Sequence, residues 1–201
     1  MSANSLKTFA AVCRLCVLGF GEDAQVLLRA NINLLINLKY ILDDPNPILR
    51  ANELLASTHR NRQTFFRLGY GKTDMPVPPP VAEDQLTEFA DAWARTSLET
   101  KAERAGLKDF YYTKGYRYFS SMEHSEAFAL NEYLEEWGEV GPRLRGESDN
   151  GVSMALLWNY SIAEDIFFQF CRYYRIERED IRNAVQERLK QLCKADSEAG
   201  L

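Results

Sequence analysis

Apolar residues recur along this chain at three- and four-residue intervals, in runs broken by glycine, proline and acid–proline steps, which is the signature of amphipathic helices. Residues 6–18 form a first such run, stopped by Gly19-Phe20-Gly21, and Asp23 stands where a second helix would be capped. That second run extends to about Leu42, where Asp43-Asp44-Pro45 ends it. Asn46 before Pro47 predicts a cap with proline in the first helical position, opening a third helix to about Leu68. Residues 71–82, GKTDMPVPPPVA, hold four of the seven prolines and predict an extended connector. A helix over 83–105 ending at Gly106 follows, then another from about Lys108 through DFYYTKGYRYFSSMEHSEAF, either kinked near His124 or running on to Trp137. A polar loop over 138–151 leads to helices over 152–174 and 178–194 and a polar tail at 195–201.

No run alternates as a half-buried strand does. The pattern predicts an all-α bundle of six or seven helices in one domain spanning 1–201, with the proline-rich connector in its middle.

Composition sharpens this. With 201 residues, 46% of them hydrophobic, the chain closes a core without staples. The 24 basic and 29 acidic residues give a net charge of -5, against broad capture of phosphate backbones or anionic membranes. The most apolar stretches, 27–42 and 152–170, carry Arg29, Asn31, Asn33, Asn37 and Lys39, and Asn159, Glu164 and Asp165, a load that predicts burial by other helices and no membrane span. Four cysteines in a chain opening MSANSLKTF predict free thiols in the cytoplasm.

One segment carries candidate chemistry. Projecting residues 110–124 at about 100° each gathers Thr113, Lys114, Arg117, Ser120, Ser121 and His124 into one arc, with Phe110 among them, and gives most of the rest to Tyr111, Tyr112, Tyr116, Tyr118, Phe119 and Met122. Arg117 and His124 fall about 20° apart around such a helix and about 10 Å apart along it, within reach of one anion. A guanidinium clamps a phosphoryl oxygen, and an imidazole moves a proton to or from a ribose hydroxyl or leaving oxygen. The bland alternative is the solvated stripe of an amphipathic helix. On the second helix, Arg29, Asn33 and Asn37 recur every four residues among leucines and isoleucines, with Gln25 beside them. They read either as a hydrogen-bond network between helices or as the opposite wall of a cleft facing Arg117 and His124.

Cys13-Arg14-Leu15-Cys16 has redox or zinc spacing but stands inside a helix without a second pair, so core thiols are the expectation. His59 lies on a basic face with Arg60, Arg62 and Arg67, ordinarily a solvated one. No ExxH pair, GxGxxG, P-loop or GxSxG occurs, and neither a metal nor a cofactor is expected.

Two stretches, AQVLLRANINLLINLKYILDDP and AERAGLKDFYYTKGYRYFSSMEHSEAFALNEYL, together resemble a family of bacterial all-helical proteins known only as a domain of unknown function. The likeness runs from about Gly21 to Trp137, and implies recurrent polar positions at Arg29, Asn33 and Asn37 and at Tyr116, Arg117, Ser120 and His124. The family more usually has an acid where this chain has Asn33, which removes a carboxylate that could orient His124. The Arg117-to-His124 spacing is also similar to the motif of the HEPN ribonucleases, at its long limit. That resemblance implies metal-independent cleavage of single-stranded RNA, toxin-like or associated with phage defence, at a site composed across a homodimer. His124 would be the general acid/base, Arg117 the phosphate clamp, Ser121 or Ser120 an assistant, and Arg29, Asn33, Asn37 and Tyr116 the substrate-binding wall. The competing expectation is a non-catalytic helical module that binds a protein partner or a small anion.

Overall fold

The computed structural model describes residues 2–68, 81–123 and 151–176, with the isolated positions 183 and 187. Helices account for nearly all of these residues, and no strand occurs among them: the protein is an all-α bundle. In chain order they are α1 (Ser2–Val17), α2 (Gly21–Leu42), α3 (Pro47–Arg67), α4 (Glu83–Arg95), α5 (Leu98–Arg104), a π-helical segment (Lys108–Tyr116), α6 (Arg117–Glu123) and α7 (Val152–Tyr173). Among the described residues, no helix is long and apolar enough to cross a membrane. Most of the connector, most of the 138–151 loop, the last expected helix and the tail lie wholly or partly outside the described residues.

The chain packs as two compact units, Met1–Ile166 and Phe167–Leu201. In the first, α2 is the spine, packed against α1, α3, α5, α6 and the π segment. Its Leu28, Ile32, Leu35 and Ile36 are wholly buried, as are Val12, Phe119 and Ile162 from the helices around it. Each such side chain contributes about 1.5–3 kcal/mol of burial, so this stripe holds the bundle together. The described part of the second unit is the end of α7, where Arg175 takes the left-handed conformation that closes the helix.

Helix ends follow the chemistry of their punctuation. Asn46 Oδ1 accepts the N–H of Leu49, as the cap before Pro47 requires. Gly19 and Gly106, at φ +75° and +67°, let the chain reverse so that Phe20 N–H reaches the Leu15 carbonyl and Leu107 N–H the Ala102 carbonyl. Two expectations need correcting. The single helix over 83–105 is two, because Thr96 and Ser97 are extended and the Ser97 hydroxyl caps a fresh start by accepting from Thr100 N–H. The second helix begins at Gly21, two residues before Asp23, with Phe20 in the cap position.

Candidate functional site

The segment that carries the candidate chemistry is not an α-helix over its first half. From Lys108 to Tyr116 it bonds in the wider π pattern, visible where Tyr112 N–H reaches the Leu107 carbonyl and Arg117 N–H the Tyr112 carbonyl, each five residues back. Projection at 100° per residue therefore fails across residues 108–116, and the arc drawn over 110–124 is corrected accordingly. The wider turn brings every fourth residue inward: Tyr111, Gly115 and Phe119 are the buried positions, while Tyr112, Tyr116 and Tyr118 are only half-buried.

Trp158 of α7 explains the geometry. Phe110 stacks on it at 4.7 Å, and Tyr111 and Phe119 meet it edge-on at 6.0 and 5.5 Å. Gly115 lies so close that an added Cβ would stand 2.7 Å from the Trp158 ring and 2.9 Å from Ile32 Cδ1. The glycine admits the indole, and the indole presses the aromatic segment against α2. On the far side, Tyr111 donates its hydroxyl proton to Asp165, and burial, then that carboxylate, pushes the phenol well above its usual range.

This packing turns polar groups outward. Thr113, Lys114 and Arg117 are exposed, Ser120 and Ser121 half-buried, and Phe110, the residue that interrupts the expected polar arc, is 49% exposed. Arg29 of α2 donates to Tyr116 Oη at 3.3 Å with its guanidinium carbon 5.3 Å from the ring centre, and Tyr112 stacks on Tyr116 from the π segment. One arginine is thus clamped on the residue immediately before another. Arg117 itself makes no ion pair among the described residues. Asn37 Nδ2 donates to Asn33 Oδ1 at 2.7 Å, so this bond runs along α2. The buried Asn37 Oδ1 has no hydrogen-bond partner among the described residues. Ser121 donates its hydroxyl to the Tyr118 carbonyl at 2.7 Å, a bond back into its own helix that still leaves the oxygen able to accept. His124 lies outside the described residues. Gln25, one turn before Arg29 on α2, is buried and donates to the Gly151 carbonyl at 3.3 Å.

Sequence reasoning missed a second polar constellation, at the corner where α3, α4 and α5 meet the end of α2. Lys101 is only 5% exposed, with Nζ 3.6 Å from the Trp93 ring centre and donating to the Trp93 carbonyl at 3.2 Å. Burial pulls its ammonium down to about 8, against the opposing pull of Glu53. Arg50 donates to Asp44 at 2.8 Å and to the buried Glu53 at 2.6 Å, and lies over Tyr40, which meets Trp93 edge-on. Burial raises the Asp44 carboxyl, but the Arg50 hydrogen bond, the Asn46 N–H and the charges of Arg50 and Arg104 outweigh it and hold the group below its usual value. LETKAER reads as an ordinary amphipathic helix, so nothing local marks Lys101 as buried. On the basic face of α3, His59 bonds Gln63, and Arg60 pairs with Asp91 and reaches the Ala90 carbonyl, tying α3 to α4.

The family of unknown function DUF5677 matches residues 1–140. The chain belongs to this family. The match takes in both segments of the aromatic and arginine face and the Lys101 corner, and stops short of α7. No curated protein and no solved structure matches the chain significantly, so the chemistry of this DUF5677 member rests on its own residues.

Proposed function

We propose that this DUF5677 protein is a metal-independent endoribonuclease of the HEPN kind, acting in the cytoplasm on single-stranded RNA as a homodimer, in the setting of a toxin or of phage defence. The observation that supports it is the contact of Arg29 with Tyr116 and the exposure of Arg117, the next residue, without an ion pair among the described residues. An exposed guanidinium at the junction of the π segment and α6 favours an anion such as a phosphodiester, and π segments inside helices often mark functional sites. In this reading Arg117 neutralises a non-bridging phosphate oxygen. Arg29, Asn33, Asn37 and Tyr116 line the approach. His124 takes the proton of the ribose 2′-hydroxyl as it attacks phosphorus, and returns one to the departing 5′-oxygen, with Ser120 or Ser121 bonded to the phosphate.

The test compares wild type with His124→Ala for cleavage of single-stranded RNA in EDTA. Loss of about a hundredfold or more in rate, with unchanged folding, is the expected result. Equal product from the two proteins removes the nuclease reading. A non-catalytic module that binds an anion or a protein partner is the second reading, favoured by the net charge of -5 and by asparagine at position 33, which bonds Asn37 rather than supplying a carboxylate. Under that reading Arg117→Ala weakens RNA binding and no RNA is cut by any form of the protein.

A further inference from the structure

The CxxC step of α1 is the motif that the proposed function leaves unused, and its surroundings differ from those of ordinary core thiols. Cys13 and Cys16 are both free and stand three residues apart near the C-terminal end of the helix, which places their Cα atoms about 5 Å apart, inside the window a disulfide spans. Both look toward α7. Asn159 Nδ2 donates to Cys13 Sγ at 3.7 Å while also bonding the Phe9 carbonyl at 3.1 Å, and Cys16 Sγ–H points at the Val152 carbonyl at 4.0 Å. Cys13 is half-buried and within reach of a small reagent; Cys16 is sealed.

Asn159 supplies the second observation. It is 1% exposed, and its Oδ1, on the same amide that contacts Cys13 Sγ, accepts no hydrogen bond among the described residues. A buried acceptor without a donor costs about 1–3 kcal/mol, so a state of the protein that supplies a donor there is favoured. Sulfenic acid on Cys13 is such a state, because its S–O–H carries a proton that unmodified cysteine, bonded through Nδ2, does not offer to Oδ1. The fold also permits closure of a bond between the two sulfurs. The last turn of α1 is closed by Gly19, in the left-handed conformation, rather than by continuing helix, so Cys16 can approach Cys13 with adjustment confined to that turn.

We propose that Cys13 and Cys16 form a peroxide-oxidisable dithiol in which Cys13 is the attacking sulfur, Asn159 holds its sulfenic acid, and Cys16 resolves it to an intrahelical disulfide. The Cys13 thiolate attacks the distal oxygen of a hydroperoxide, the O–O bond breaks, and alcohol or water leaves as Cys13 becomes S–OH. The Cys16 thiolate then attacks the Cys13 sulfur, and the hydroxyl departs as water. Two thiols and one hydroperoxide give one disulfide, one alcohol or water from the peroxide, and one water. Burial raises the Cys16 thiol, so little of it is thiolate at neutral pH and resolution follows the formation of the sulfenic acid slowly.

Trypsin tests the proposal directly, because Arg14 lies between the two cysteines. The reduced full-length chain is treated with hydrogen peroxide, blocked with N-ethylmaleimide and digested without reductant. Cleavage after Lys7, Arg14 and Arg29 separates residues 8–14 from 15–29 in untreated protein; after peroxide the two should remain joined, about 2 Da below their summed mass. In Cys16→Ser, dimedone should label Cys13. Adding Asn159→Leu, which keeps the branched shape, to Cys16→Ser should cut the lifetime of the Cys13 sulfenic acid about tenfold, the loss of one hydrogen bond to it. The dithiol is overturned if the two peptides separate while Cys171 or Cys193 is the thiol consumed, or if dimedone labels those residues and spares Cys13. An unchanged sulfenic acid lifetime, read by dimedone labelling, in folded Cys16→Ser with Asn159→Leu overturns the role of Asn159.

Discussion

Two polar regions of this molecule use the same residue types in opposite ways. At the α3–α4–α5 corner, Arg50, Lys101, Asp44 and Glu53 are turned on one another and on Tyr40 and Trp93, with Glu53 and Lys101 nearly sealed from water. At the junction of the π segment with α6, Arg29 is held by an aromatic ring and Arg117 reaches solvent without an ion pair among the described residues. Buried charges that satisfy each other fix the fold and have nothing left for a ligand, whereas an exposed guanidinium with no ion pair among the described residues, as at Arg117, keeps its field for an incoming anion. Charge content alone therefore does not locate a site; the direction in which the charge is paired does.

Four substitutions separate the two regions. Arg50→Ala should be the most costly, because it leaves the Glu53 carboxylate buried without its hydrogen-bonded partner; we expect a loss of about 2–4 kcal/mol by urea denaturation. A loss under about 0.5 kcal/mol would make the corner an ordinary surface network.

Lys101 gives the same region a pH signature. Its native pKa of about 8 lies below the usual lysine value, so between about pH 8 and 10 the unfolded chain binds more protons than the native one, and stability rises with pH. The rise should amount to about 2–3 kcal/mol, level off as the unfolded lysine deprotonates, and vanish in Lys101→Met. Above that window Tyr111, whose phenol is raised in the native state, works in the opposite sense and withdraws stability. Denaturation midpoints of the two proteins from pH 7 to 10 check this; parallel curves would contradict it.

Gly115→Ala probes the other region from beneath. The new methyl meets Trp158 and Ile32, and after the helix-favouring gain of alanine a net destabilisation of about 1–2 kcal/mol should remain, with a changed Trp fluorescence. An unchanged midpoint would mean that the indole moves aside at little cost. Arg117→Ala should be the mildest, within about 0.5 kcal/mol of wild type, because the side chain is exposed.

What could be read from the sequence divides along physical lines. Helix ends set by local chemistry were legible: Asn46-Pro47 opens α3, and Gly19 and Gly106 close α1 and α5. The break at Ser97 also has a local signal, a capping serine followed by an acid, Glu99, in the first turn, which divides the helix expected over 83–105. The π segment was not legible, since it depends on Trp158, more than forty residues away, filling the space over Gly115; a glycine among the six aromatics of residues 110–119 was the one hint of close approach. For the site, the choice of Arg29 and Tyr116 picked out residues that do touch, and Asn33 and Asn37 a pair that bonds within its own helix. The Lys101 corner was invisible because burial of a lysine is decided by which helices pack over it, and no periodicity records that.

The claim that the Arg117 face is built for an anion, and not for stability, is tested most directly by the affinity of a fluorescein-labelled single-stranded oligoribonucleotide for wild type and Arg117→Ala at one fixed salt concentration. Weakening of about tenfold or more, at an unchanged denaturation midpoint, is the predicted result. Equal affinity for the two proteins would contradict it.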